Sequence, residues 1–337
     1  MLSGLGARVR GVAETSPWTN VYGLARTLLA LCTLTTLLAS ETSSLFRPAQ
    51  GVPGYPYCDG VAAYGLFCVL DVDRAHPVAI AILAVAASGW RPRFTALPHW
   101  WVAVSFQASA TIPDGGDQVA AVLTLLLLPI ALTDGRAWHW GRPRPVADPV
   151  ASLVAWSALL VIRIQVAGIY LQASVAKLGR EEWADGTALY YWLSDPLFGS
   201  PGWAAGVLEP LRVSAVGVTL LTWGPVAIEF ALVMGLVSRR AVRPYLLVAG
   251  LALHALIGLL MGLGSFALAM FACLVMYLRP LDRPFAFGDA ILPMLLPHRP
   301  RVLSGSAWQA MARLARQPGD ASVAEAGLGL TDTDARR

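Results

Sequence analysis

The sequence predicts an all-α fold, a polytopic integral membrane helix bundle of about eight spans with both termini cytoplasmic. Three observations carry that expectation. Of 337 residues, 56% are hydrophobic and only 14% charged, with a mean hydropathy of +0.58, which is more apolar surface than one soluble core can hide. Apolar runs near the length needed to cross a bilayer recur along the chain. Basic residues gather in alternate loops, the pattern that reports membrane orientation. The net charge of +4 would suggest a nucleic-acid partner in a soluble protein, but here the arginines lie in short loops between spans. The expected partner is the lipid bilayer, with no nucleic acid.

Residues 1–20 form a cytoplasmic tail carrying Arg8 and Arg10. The first span, 21–39, is too long for a signal-peptide core and lacks a small-residue cleavage site, so it reads as a signal anchor. Arg26 lies within snorkelling reach of the tail's side. Residues 40–76 form a Pro- and Gly-rich loop whose apolar run Val61 to Leu70 is too short to cross and reads as interfacial or re-entrant. Further spans follow at 77–89, 94–112, 117–133, 150–174, 212–237, 244–262 and 265–279; the second is short, which leaves seven spans plus a re-entrant segment as the alternative. The membrane domain thus covers 21–282. Residues 283–337 form an interfacial segment and a cytoplasmic tail: 284–300 along the inner interface, 304–316 a short basic helix, the last twenty or so disordered.

Arg91 and Arg93, Arg136, Arg142 and Arg144, Arg239, Arg240 and Arg243, then Arg279 and Arg283 all fall on the tail's side. The alternate loops hold Asp59, Asp71, Asp73, Asp114, Asp117, Glu181, Glu182, Asp185, Asp195 and Glu209. By the positive-inside rule both termini are cytoplasmic and the second set of residues lies outside. Lys177, the only lysine among 25 basic residues, then falls at the outer surface.

Trp156, Arg163, Tyr170 and Lys177 recur every seven residues and share one face of the fifth span, drifting only about 20° per step. That face runs from mid-bilayer at Arg163 to the outer surface at Lys177, roughly 21 Å. Gln165 and Gln172 form a second heptad pair on a different face, and a polar stripe of this kind should point into the bundle. Lys177 has two readings, a snorkelling anchor paired with Glu181 or a functional amine. Arg163, Glu229 and His254 are the other intramembrane polar residues. Isolated charges are expensive in hydrocarbon, so Arg163 and Glu229 should face each other as an ion pair or share a wet cavity, while His254 is either a hydrogen-bonded packing residue or a proton relay.

Asp114 and Asp117, with Gln118 beside them, precede the fourth span and read either as an N-terminal cap or as substrate or cation contacts near Lys177. Cys58 and Cys68 share the first outer loop, where an oxidising compartment permits a disulfide clip, whereas Cys32 and Cys273 read as buried packing residues. There is no zinc-ligand spacing, so no metal is expected, and no phosphate loop, serine elbow or dinucleotide fingerprint.

The run Ile169-Tyr170-Leu171-Gln172-Ala173-Ser174-Val175-Ala176-Lys177-Leu178, followed by Glu182-Trp183-Ala184-Asp185-Gly186-Thr187-Ala188-Leu189-Tyr190-Tyr191, resembles the central segment of the HTTM superfamily, which includes vitamin K-dependent gamma-carboxylase. The similarity covers approximately 20–282 and is greatest to the bacterial branch around sporulation-delaying protein B, a membrane component needed to mature a secreted peptide toxin. That branch also shows patterns like Trp90-Arg91-Pro92-Arg93, Asp114-Gly115-Gly116-Asp117-Gln118 and Trp138-His139-Trp140. The resemblance implies a candidate base at Lys177, where the carboxylase activates vitamin K hydroquinone. It implies a reduced menaquinone as a cofactor to consider, with Tyr170 and the aromatic run Tyr190 to Trp192 lining its ring, and Trp183 and Gly186 as further residues lining the quinone or substrate. It also implies a secreted peptide precursor and a small partner protein. No counterpart of the carboxylase's large extracytoplasmic domain is expected after the last span. Three functions compete: a maturation factor for a secreted antimicrobial toxin peptide, a quinol-dependent carboxylase-like enzyme, and a non-catalytic transporter or immunity protein using the polar residues Arg163, Glu229 and His254.

Overall fold

The computed structural model describes residues 2–48, 54–111, 113–196 and 198–286. The expected basic helix at 304–316, the disordered tail and most of the expected interfacial segment lie outside the described residues. Those residues form fourteen α-helices and no strand.

In order, α1 is Leu2–Ala13, α2 Asn20–Ala39, α3 the single turn Thr42–Leu45, and α4 the single turn Leu66–Val69. Then come α5, Val72–Ser88, α6, Pro92–Ser109, α7, Gly115–Leu132, and α8, Pro149–Leu178. The short helices α9 (Glu181–Ala184), α10 (Ala188–Ser194) and α11 (Ala205–Val213) lead into α12 (Ala215–Val233), α13 (Arg243–Leu260) and α14 (Gly264–Leu278). Local chemistry sets many of these ends. Asp148 accepts from the amides of Val150 and Ala151, and Pro149 opens α8 where its missing N–H costs nothing. Asp114 and Asp117 form a reciprocal capping box on α7. Ser214 caps α12 through the Gly217 amide.

Among the described residues five helices are long and apolar enough to cross a membrane: α2, α7, α8, the stretch from Ala215 to Leu236 that begins with α12, and α13. The helix α14 is apolar but shorter. Only 17% of the most apolar stretch of α13 is buried inside the protein, and 33% of that of α12. Their outer faces show Leu220, Tyr245, Val248, Leu256 and Leu259 to the surroundings. Such faces are stable in lipid and not in water. The chain is an all-α membrane protein.

Helix α2 stands between two cores. On one side Tyr22, Leu29 and Cys32 pack with α7, α8 and α14. On the other Ala30, Leu34 and Leu37 pack with α5 and α6 through Ala75, Ala79, Leu83 and Phe106. Alanines spaced by four on α5 let the backbones approach closely. The run Val61 to Leu70 folds as a 3-10 turn, Gly60–Tyr64, and then α4. It is clipped by the Cys58–Cys68 disulfide and docked on α6, where Leu66 N donates to Ser105 Oγ at 2.9 Å and Trp101 Nε1 to the Tyr64 carbonyl at 2.9 Å. Cys32 and Cys273 are buried free thiols.

One end of the bundle is stitched by polar contacts between distant segments. Thr19 Oγ1 donates to the Leu281 carbonyl at 2.8 Å, Trp18 Nε1 to that of Ile130 at 3.1 Å, and Trp156 Nε1 to that of Thr15 at 2.9 Å. Arg26 does not snorkel: it is 1% exposed, with Nη2 donating to Thr95 Oγ1 at 2.6 Å. The helix buries that side because α5 and α6 cover it, and Thr95 supplies the acceptor that a snorkelling guanidinium would find in water.

The motifs Trp90-Arg91-Pro92-Arg93 and Trp138-His139-Trp140 prove to be two halves of one joint at this end. Arg91 N donates to the Ala137 carbonyl at 2.8 Å and His139 N to that of Gly89 at 3.0 Å, while Trp140 Nε1 donates to that of Ser88 at 2.9 Å. Gly89 ends α5 with φ +86°, and a Cβ there would run into the His139 ring. Below the joint, Asp134 and Arg136 form a buried ion pair at 2.8 Å. Tyr22 donates to the same carboxylate at 3.2 Å.

Candidate functional site

Helix α8 runs for 30 residues, about 45 Å, four residues further than the expected apolar span, and Lys177 sits in its last turn, at the helix end where the heptad placed it. Its Nζ donates to both carboxylate oxygens of Glu229, at 2.6 and 2.7 Å. Glu229 lies fourteen residues into α12, about 21 Å from that helix's start. The side chains are 23% and 7% exposed, lysine first. The ring of Trp183, on α9, has its centroid 5.4 Å from the same nitrogen, and an ammonium in that position is attracted by the ring face.

Two turns back along α8, the Tyr170 hydroxyl is 3.1 Å from His254 Nε2 on α13. The His254 ring meets Phe266 of α14 edge-on, with centroids 5.6 Å apart. His254 Nδ1 and Ser174 Oγ are buried with no hydrogen-bond partner among the described residues. Both polar pairs border a cavity of about 340 Å³ whose wall includes Gln118, Gln165, Gln172, Val119, Ile169, Phe266 and Met270. The Gln165 and Gln172 stripe, expected on a separate face, borders the same space because the cavity is wide enough to take in two edges of α8.

The expected pairing of Arg163 with Glu229 is not formed. Arg163 is fourteen residues before Lys177 on α8, roughly 21 Å along the axis, and Lys177 occupies both oxygens of the carboxylate. Nor is Arg163 in the middle of the bundle. It borders a second cavity with Arg243, the first residue of α13, and Arg279, which follows α14. Glu181 likewise does not hold Lys177; it lines an acidic cleft of about 550 Å³ with Glu182, Asp185 and Asp195. Tyr191 and Trp192 line that cleft and Tyr190 lies under the Arg212 guanidinium at 5.1 Å, so the aromatic run does not line the cavity of Lys177. Helix α10 points it elsewhere after the turn at Gly186, whose φ is +84° with Thr219 and Trp223 close by. Asp114 and Asp117 serve as the α7 cap, and Ser265 Oγ donates to Asp114 at 3.2 Å; from that motif Gly115 and Gln118 border the cavity.

The chain is 39% identical over 280 residues to the uncharacterized protein YitO of Bacillus subtilis (strain 168), an alignment covering 81% of this chain and 90% of that protein. It is 36% identical over 283 residues to the sporulation-delaying protein SdpB of the same organism, covering 82% of this chain and 86% of SdpB. No family model matches the chain, and no solved structure does. At that identity and coverage the chain belongs to the family of SdpB and YitO.

Proposed function

We propose that the protein is a membrane maturation factor for a secreted peptide toxin, and that the cavity of Lys177 and Glu229 is its working site. The family relationship to SdpB supports the process. The observation that carries the site is the bidentate lysine–carboxylate pair opening on a cavity shared with Tyr170 and His254. A charge pair inside an apolar bundle is expensive to bury and easily replaced by apolar packing, so its presence beside an open space calls for a role. A proton passed from Lys177 Nζ to a Glu229 oxygen leaves a neutral amine and a neutral acid, and the pair can then exchange that proton with a group of the peptide entering the cavity. On this reading the chain crosses the plasma membrane eight times with both termini in the cytoplasm, the cavity opens toward the outside, and a small partner protein helps present the peptide precursor.

A second reading, quinol-dependent chemistry of the carboxylase kind that HTTM membership would imply, is favoured by one feature of the same cavity. Val119, Ile169, Phe266 and Met270 face a phenol, an imidazole and three amides, which fits a flat ring bearing two oxygens such as a reduced menaquinone. Tyr170, His254 and the glutamines would hold the oxygens, and the bound quinol would supply electrons to oxygen.

Replacing Lys177 by Arg and by Ala, and Glu229 by Gln, in a host that makes the cognate peptide should abolish its maturation in all three, as read by mass spectrometry of the secreted product. Arginine keeps the charge but cannot release its proton. Full maturation in both lysine variants, with the protein present in the membrane, would sink a chemical role for the pair.

A further inference from the structure

The second cavity, about 530 Å³ in volume, lies at the other end of the Arg163 to Lys177 segment and plays no part in the proposed function. Arg163, Arg240, Arg243 and Arg279 border it, with Asp282 as the one carboxylate among its described lining residues. Among the described residues none of the four guanidiniums forms an ion pair, and Arg163 Nε and Nη2 and Arg279 Nε are buried with no hydrogen-bond partner; the Arg279 guanidinium lies 4.5 Å from the centroid of the Phe285 ring. Arg243 Nε has only a long bond, 3.3 Å, to the Ser238 carbonyl. Like charges gathered round one space repel one another, and the buried donors of Arg163 and Arg279 forfeit hydrogen bonds, costs that an anion placed between them removes.

The adjoining space narrows the choice of anion. A slot of about 330 Å³ shares Val12, Trp156, Arg163 and Leu281 with the arginine cavity and is otherwise walled mainly by Leu153, Leu159 and Leu160. A charged chamber that continues into an apolar slot fits an amphipathic molecule, with its phosphate among forked donors and its chain along the leucines.

We infer that this is a binding site for a phosphate group, and specifically for the headgroup of an anionic phospholipid whose acyl chain enters the slot beside α8. Basic pockets between helix ends at a membrane surface take lipid headgroups in this way. The site anchors α1, α8, α13 and the segment after α14 to one lipid molecule.

The test uses the full chain, purified in an uncharged detergent and stripped of lipid. It is titrated with short-chain phosphatidylglycerol, with phosphatidylcholine of the same chains, and with inorganic phosphate, reading bound mass by native mass spectrometry and thermal stability in parallel. One phosphatidylglycerol should be retained and stabilise the protein, while Arg163→Gln and Arg279→Gln each weaken it about tenfold, the loss of one charge-assisted hydrogen bond. Arg163→Lys should restore part of the affinity. Arg240→Gln, at an exposed position outside the helices, guards against a folding defect and should also weaken binding. Stabilisation by inorganic phosphate equal to that by phosphatidylglycerol, and lost in Arg163→Gln, would assign the cavity to a soluble phosphate and overturn the lipid. Binding of phosphatidylcholine as tight as phosphatidylglycerol, or binding unchanged in all three glutamine variants, would overturn the site itself.

Discussion

Glu229 is the ionic partner of Lys177, each offsetting the other's charge in a place where neither would be stable alone. Replacing Lys177 by Met strands a carboxylate that is 7% exposed and should cost about 3 kcal/mol, whereas the double replacement Lys177→Met with Glu229→Met should recover most of that loss. Thermal unfolding of the purified variants measures the difference, and additive losses would mean the pair does not interact. His139 supplies a second residue-scale expectation. Its ring is buried outside the spans, and burial first, then the nearby Arg26 and Arg136, push the imidazole down from 6.5 to about 2. Its Nε2 lies 3.2 Å from Thr27 Oγ1, whose own proton goes to the Ala87 carbonyl, so Nε2 carries the hydrogen and the ring is neutral. The unfolded chain takes up a proton near pH 6.5 and the folded chain does not. Stability is therefore complete above that pH and falls by about 1.4 kcal/mol per unit as the pH drops toward the folded value. Melting at pH 7.5 and 4.5 should show a smaller difference in His139→Gln than in the parent. An equal difference in the two would remove His139 as a cause.

At the scale of elements, the joint between the α5–α6 turn and the 134–140 loop shows how a loop can be core. Gly89 must turn left-handed to end α5 and must leave room for the His139 ring, two demands that no other residue meets. Gly89→Ala should destabilise the protein by about 3 kcal/mol through backbone strain and overpacking together. A melting temperature unchanged from the parent would contradict that account. The motifs either side of this joint were visible in the sequence as Trp-rich patterns, but not that they bond to each other, because backbone pairing across some fifty residues leaves no periodic trace. Helix α8 was visible as a span with a polar stripe. The heptad that ends at Lys177 carried the helix beyond the apolar run, and the structure continues it to Leu178.

For the whole molecule, orientation is the expectation to test. Cys58 and Cys68 are bonded, and Cys32 and Cys273 are buried, so the parent offers no reactive thiol at the surface. A membrane-impermeant maleimide applied to intact cells should label Glu181→Cys and leave Arg240→Cys unlabelled until the membrane is opened; the reverse pattern would invert the proposed topology. The sequence by itself determined that this is a helical membrane protein, placed its long helices to within a few residues, and marked Lys177, Glu229, His254 and Arg163 as the polar residues that an apolar bundle must accommodate. These follow from transfer energies and helical period, which act along the chain. Only the tertiary structure decided which charge met which. Pairing depends on how far each helix slides along its neighbour, and one turn of slide, about 5.4 Å, changes every partner while leaving hydropathy untouched. That is why the sequence pointed to Arg163 as the partner of Glu229, and why packing gave Glu229 to Lys177 and left Arg163 among the arginines at the other end.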